Sequence, residues 1–263
     1  MKTALRALAA LGLIASPAAT QDAPGDWQIM SDPSKQALAA VVAFDSGIGV
    51  GVRCMRGGLG VILTGLPPQS GDRRLLRMGY DDQPLRDSNW VPTADPTAAV
   101  HEYPARIARR MRQGGALNIV VPGAGEGGRN LRYILDLPSS ATAIESVLTA
   151  CNKPLVDPRD AELDVTGPAG GLPANMRWTR APSPIFPHEA EFDGVRGGYA
   201  VVSCNTQTDG TLKACEVESE HPLGSGFGRA SLAAMDRARV GWTGAPSVAV
   251  DVRRVAFRVS FRS

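Results

Sequence analysis

Apolar residues along this chain come in short runs broken by glycine, proline or aspartate, the pattern of brief strands joined by tight turns. Residues 26–30, 36–44, 48–55, 59–64 and 75–80 are strand candidates, punctuated by Asp45-Ser46-Gly47, Gly57-Gly58 and Pro67-Pro68. The period changes over 103–113, where Ile107 and Met111 stand four apart among Arg106, Arg109, Arg110 and Arg112, which predicts a short amphipathic helix. Strand character returns at 116–121 and 131–137. Ser139 and Ser140 then offer a cap for a helix running to Ala150, with Ala143, Ile144, Val147 and Leu148 on one face. Residues 26–151 are therefore expected to form a mainly-β, sandwich-like or barrel-like antiparallel domain with two short helices.

From 152 to 175 the composition shifts to Pro154, Pro158, Pro168 and Pro173 with Gly167, Gly170 and Gly171, which reads as a semi-extended tether open to protease. Residues 176–263 centre on a β-hairpin whose turn holds Asp209-Gly210. A symmetric two-residue turn sets Val202 opposite Val217 and Cys204 opposite Cys215. A three-residue turn with a bulge at Gly210 would instead set Cys204 against Ala214 and scatter the apolar residues over both faces, so the symmetric register is preferred. In it Cys204 and Cys215 lie within disulfide reach. A helix is expected over 228–240, with Ser231, Ala234, Met235, Ala238 and Trp242 to one side. In the last strand the apolar phase slips at Arg253-Arg254, from Val248, Val250 and Val252 to Val255, Phe257, Val259 and Phe261. A β-bulge reconciles the two sets, and a break into two strands is the competing reading.

Composition adds the compartment. Lys2 and Arg6, the apolar run 7–15 and Ser16-Pro17-Ala18-Ala19 have the order of a secretory signal over 1–20, cleaved on export. The competing reading is an uncleaved inner-membrane anchor, although the run falls short of the ~20 apolar residues a span needs. Export implies a periplasmic, oxidising setting with no transmembrane helix in the mature chain, and Cys54 is then the natural partner of Cys151. Mixed pairing between the two halves, or reduced cysteines acting as small hydrophobes, are the alternatives. The chain carries 28 basic and 26 acidic residues, and loss of Lys2 and Arg6 leaves the two in balance. That balance gives no support to nucleic-acid binding.

Candidate chemistry is sparse. Neither His101-Glu102 nor His188-Glu189 extends to H-E-x-x-H, Ser225 is not in a G-x-S-x-G elbow, and the expectation is a non-enzymatic chain without metal. A Ser/His/Asp set assembled in space, with Ser225 and His221 as candidates, remains the catalytic alternative. Gly123, Gly125 and Gly128 match G-x-G-x-x-G, but the strand expected at 131–137 stands where a dinucleotide site needs a helix, so no cofactor is expected. The arginines of 106–112 read either as an anion patch or, preferably, as a solvated helix face.

The ordered set Phe186-Pro187-x-x-Ala190, Gly194 with Gly197, Asp209-Gly210, Ser219 before Pro222, Arg237-Ala238-Arg239-Val240-Gly241-Trp242 and Val255-Ala256-Phe257-Arg258-Val259 resembles the TonB C-terminal domain over 178–261. The resemblance implies an α+β domain of three antiparallel strands with helices on one face. It also implies a partner, the TonB box of outer-membrane transporters, added as a strand to the sheet edge. That edge would be the last strand, with Val250, Val252, Arg254, Val255, Phe257, Arg258 and Val259. Arg254 and Arg258 would flank the peptide, or simply serve as solubilising edge charges. With a cleavable signal and a short tether in place of an inner-membrane helix and a long rod, binding is expected rather than force transmission. Over residues 27–151 the chain resembles the invasion-associated locus B group and accessory proteins of type VI secretion. That likeness rests on Gly25-Asp26-Trp27, Cys54, Leu135-Asp136-Leu137, Ala143-Ile144 and Ala150-Cys151, and it implies a non-enzymatic role as an envelope scaffold or secretion accessory.

Overall fold

In the computed structural model, which describes residues 25–71, 73–166, 172–173, 176–243 and 253–263, the strands of the first half join one antiparallel sheet of nine. The expected export segment, 1–20, lies outside the described residues. β1 (Gln28–Asp32), β2 (Ala37–Ala43), β3 (Gly49–Met55) and β4 (Gly58–Thr64) form a meander, each strand pairing with the next. β5 (Arg74–Tyr80), β6 (Arg86–Pro92) and β7 (Ala99–His101) follow, and β7 pairs with both β6 and β4. β8 (Gly115–Val121) pairs with β5, and β9 (Leu131–Leu137) closes the order β1-β2-β3-β4-β7-β6-β5-β8-β9. β6 and β7 are additions to the expected set: R-D-S-N-W-V-P carries little alternation, and β7 has three residues.

One face of this sheet packs against α1 (Pro104–Met111) and α2 (Thr142–Ala150), with Val52, Leu63, Leu76, Trp90, Met111, Leu117 and Ile144 in the common core. Cys54 at the end of β3 is bonded to Cys151 just past α2, with Cα atoms 5.5 Å apart.

The second sheet has three antiparallel strands in the order β12-β11-β14: β11 (Gly197–Thr206), β12 (Leu212–His221) and β14 (Arg254–Arg262). The hairpin β11–β12 corrects one expectation and meets another. Its turn is the three-residue one: Gly210 N–H donates to Gln207 O and Gln207 N–H to Thr211 O, Gly210 takes φ +79°, and near the turn Asn205 faces Lys213. A register shift between Ser203 and Asn205, with Ala214 at φ +47°, then restores the preferred alignment, so that Val202 does face Val217. Cys204 and Cys215 are bonded, their Cα atoms 4.1 Å apart, closer than the hydrogen-bonded spacing the symmetric register implied.

Even-numbered residues of β11 (Ala200, Val202, Cys204) and Val255, Phe257, Val259 and Phe261 of β14 meet α5 (Phe227–Met235), together with a two-stranded ribbon of β10 (Met176–Arg180) and β13 (Arg239–Trp242). The helix expected over 228–240 thus ends five residues early. Val240 N–H donates to Gly210 O, and β13 pairs with β10, bonds a longer helix would forfeit. Any side chain at Gly210 would place its Cβ 2.2 Å from Val240 O.

The opposite face of the small sheet lies on the large one. Tyr199, Val201 and Ala256 share a buried cluster with Val91, Val100 and Tyr103, and Ser219 Oγ–H donates to Glu102 O at 2.8 Å. The stretch expected as a free tether contributes to this seam. α3 (Arg159–Thr166) buries Leu163 in the same cluster, and Asp160 takes a paired contact from Arg109 at 2.7 and 2.5 Å. A tether's charges find partners here because Arg109 and Arg254 both need them.

Candidate functional site: the outer strand of the small sheet

β14 runs beside β11 in an unbroken register from Gly197–Arg262 to Asn205–Arg254, and among the described residues no strand pairs on its other side. Such an edge presents unpaired N–H and C=O groups to any extended segment. The opposite edge, β12, is less able to receive one. Its pairing shifts twice, and the Val217 carbonyl accepts a hydrogen bond from Lys153 Nζ at 3.2 Å. Bulges and capped carbonyls are devices that blunt edges, so the two margins of the sheet are not equivalent.

Of the edge residues expected from the sequence, Val250 and Val252 lie outside the described residues. Val255, Phe257 and Val259 are buried towards α5 and the ribbon, Phe257 4.8 Å from the Trp178 ring, so β14 offers backbone there rather than apolar side chains. Neither arginine stands at the margin as a flanking charge. Arg254 is 8% exposed and donates to Glu162 Oε2 at 2.7 Å and Ser203 Oγ at 3.0 Å, while the Arg258 guanidinium sits 4.1 Å over the Tyr199 ring. Strand alternation decides this: with the valines facing α5, even-numbered residues must face the seam between the sheets.

The histidines do not assemble with Ser225. His188 is exposed on α4 (His188–Phe192) beside Glu191, His221 stacks on Tyr199 at 5.7 Å, and His101 is buried next to Trp90. Ser225 is buried, and among the described residues its hydroxyl has no partner, none of the three histidine rings included. Among the described residues no three His, Cys, Asp or Glu side chains are placed to hold a metal ion, and no helix is long and apolar enough to cross a membrane.

No protein-family profile and no curated protein matches the chain. A TonB C-terminal domain does. The solution NMR structure of Pseudomonas aeruginosa TonB CTD is similar at 20% identity, over 35% of this chain and 89% of that one, with a TM-score of 0.30. At that TM-score the likeness to the TonB domain carries no weight for fold or function.

Proposed function

We propose that this chain is an exported, non-enzymatic periplasmic protein that binds an extended peptide as a fourth strand on β14, with the TonB box of outer-membrane transporters as the expected partner. The observation that carries the proposal is the pairing of an unbroken β14 register with a margin free of other strands among the described residues. Strand addition draws affinity from main-chain hydrogen bonds, which an edge supplies without help from its side chains. The two disulfides fit the oxidising compartment that the N-terminal sequence suggests.

The test is an amide-resolved titration of the whole chain with a synthetic TonB-box peptide, in plain form and with alternate backbone nitrogens methylated. Strand addition perturbs β14 and slows its hydrogen exchange while leaving β12 unchanged, and one methylated series loses binding because its N–H donors are gone. Shifts confined to the nine-stranded sheet would transfer the partner site there. Equal binding of plain and methylated peptides would remove strand addition altogether.

A further inference from the structure

A cleft of about 620 Å³ lies between the β5–β6 hairpin and α1, on the first sheet rather than on β14. Ser88 lines it, and the tautomer of His101 sets the direction of the Ser88 hydroxyl. The Tyr103 N–H donates to His101 Nδ1 at 2.9 Å, so Nδ1 is an unprotonated acceptor. Burial first, and then the charge of Arg106, push the imidazole down to about 3, so the ring is neutral and its proton sits on Nε2. That Nε2–H donates to Ser88 Oγ at 3.3 Å, and the Trp90 Nε1–H donates to the same oxygen at 3.1 Å.

A serine hydroxyl has two lone pairs and one proton. Both lone pairs of Ser88 are occupied, so its O–H must donate, and among the described residues it has no acceptor. Ser88 lines the cleft. The same tautomer denies His101 the role of general base towards Ser88, since the facing nitrogen already holds a proton. Ser88 is thus a directed donor and not a nucleophile.

The walls favour a negatively charged acceptor. Arg86 of β6 and Arg106 of α1 line the cleft, and Arg86 is exposed with no ion pair among the described residues. Burial lowers the Arg106 pKa, Asp160 opposes that and Arg86 adds to it, so an anion that accepts from Arg86 reduces the repulsion Arg86 exerts on Arg106. The two carboxylates on the wall have basic neighbours, Asp160 bonding Arg109 and Asp87 lying 3.9 Å from Arg77. Met78 and Ile107 supply an apolar wall. The volume is that of a small-molecule site.

We propose that this cleft binds a small organic oxyanion, a carboxylate or a phosphate ester, whose oxygens accept from Ser88 and Arg86 while its apolar part rests on Met78 and Ile107. Benzoate, phenyl phosphate and the neutral benzyl alcohol, titrated calorimetrically into the full chain at low salt, test it. At least one anion is expected to saturate and to bind about tenfold or more tightly than the alcohol, and which one does so separates carboxylate from phosphate. Arg86→Gln and Ser88→Ala should each weaken it about tenfold, Ser88→Thr should retain it, and Arg229→Gln, exposed on α5, should change nothing. Arg86 is exposed, so its variant folds even if Ser88→Ala, which orphans two buried donors, does not. Failure of both anions to saturate at millimolar concentration, or wild-type binding by Arg86→Gln, overturns the assignment.

Discussion

Acid should destabilise this protein through His101. The ring is 5% exposed, meets Trp90 edge-on at 4.8 Å, and uses both nitrogens in the neutral form, one accepting from Tyr103 N–H and one donating to Ser88. A proton added at Nδ1 would confront the Tyr103 donor. The folded ring titrates at about 3, against about 6.5 for an unfolded histidine. Between those values the unfolded chain holds a proton that the folded chain does not, so the contribution of His101 is complete above ~6.5 and falls by about 1.4 kcal/mol per pH unit below it. From about pH 7 to about pH 5 the loss is about 2 kcal/mol. Asp157 contributes in the same direction. Its burial is outweighed by hydrogen bonds and charge from Arg159, and then by the charge of Arg109, so its depressed pKa also costs stability as pH falls. The variant His101→Gln separates the two, because a carboxamide can accept from Tyr103 and donate to Ser88 but does not titrate.

Urea unfolding followed by tryptophan fluorescence at these pH values should show a lower stability for His101→Gln near neutrality, with a pH slope flatter than wild type by about 2 kcal/mol over the interval. The contribution of Asp157 is common to both proteins and cancels. Parallel slopes, or a native-state imidazole titration centred near the ordinary value, would refute the reasoning.

Three further outcomes follow from the same structure. Unfolded, unreduced protein should show no free thiol to Ellman's reagent, and loop lengths of 97 and 11 residues set the cost of removing each bond at about 4.7 kcal/mol for Cys54–Cys151 and about 3 kcal/mol for Cys204–Cys215 in denaturant titrations. Arg109→Met leaves Asp157 and Asp160 without the guanidinium that reaches both, and should lower stability by about 3–5 kcal/mol in thermal or urea unfolding, a loss below about 1 kcal/mol being incompatible with a buried pair. Gly210→Ala combines a positive φ with a clash against Val240 O, and should cost at least about 1–3 kcal/mol without altering the cysteine bond, checked by denaturation and thiol count.

What the sequence displayed and what it hid have physical causes. Long runs with a buried face, such as Gly49–Met55 and Leu131–Leu137, declared themselves because alternation and turn residues agreed. β6 stayed hidden because Trp90 and Val91 are its only large apolar residues, and β13 because its residues continue the helical spacing of α5 until the β10 pairing overrides it. Asp209-Gly210 marks a turn but does not count its residues: the same dipeptide fits positions two and three of a three-residue loop, and the shift beside Ala214 absorbs the difference. The arginines of α1 read as a solvated face, whereas Arg109 is 5% exposed and Arg112 meets Glu145 at 2.5 Å, because α2 and α3 cover the helix with carboxylates that are distant in sequence. The Ser88–His101 contact follows no motif. It arises because Trp90 pairs with His101 across β6 and β7, and no spacing rule reports that register.

The seam between the sheets bears on how the peptide edge can be studied. If residues 176–263 were a separable unit, both faces of β11 would be served from within it. Instead Tyr199 and Val201 of β11 and Ala256 of β14 bury against Val91, Val100, Tyr103 and Leu163, and Glu218 takes its hydrogen bonds from Ser203 and from Arg159 on α3. Cutting the chain at 176 exposes those apolar side chains and leaves Glu218 and Arg254 without Arg159 and Glu162, the second of which bonds Arg254 at 2.7 Å. Truncation of buried ion pairs costs about 3–5 kcal/mol each, comparable to the whole margin of a small domain. The isolated fragment should therefore melt well below the intact chain or aggregate, whereas a chain cut by protease within 159–166 but held by its contacts should keep both sheets until denatured. Equal melting temperatures for fragment and intact protein would mean that the seam adds nothing, and that β14 is positioned by α5 and the β10–β13 ribbon alone.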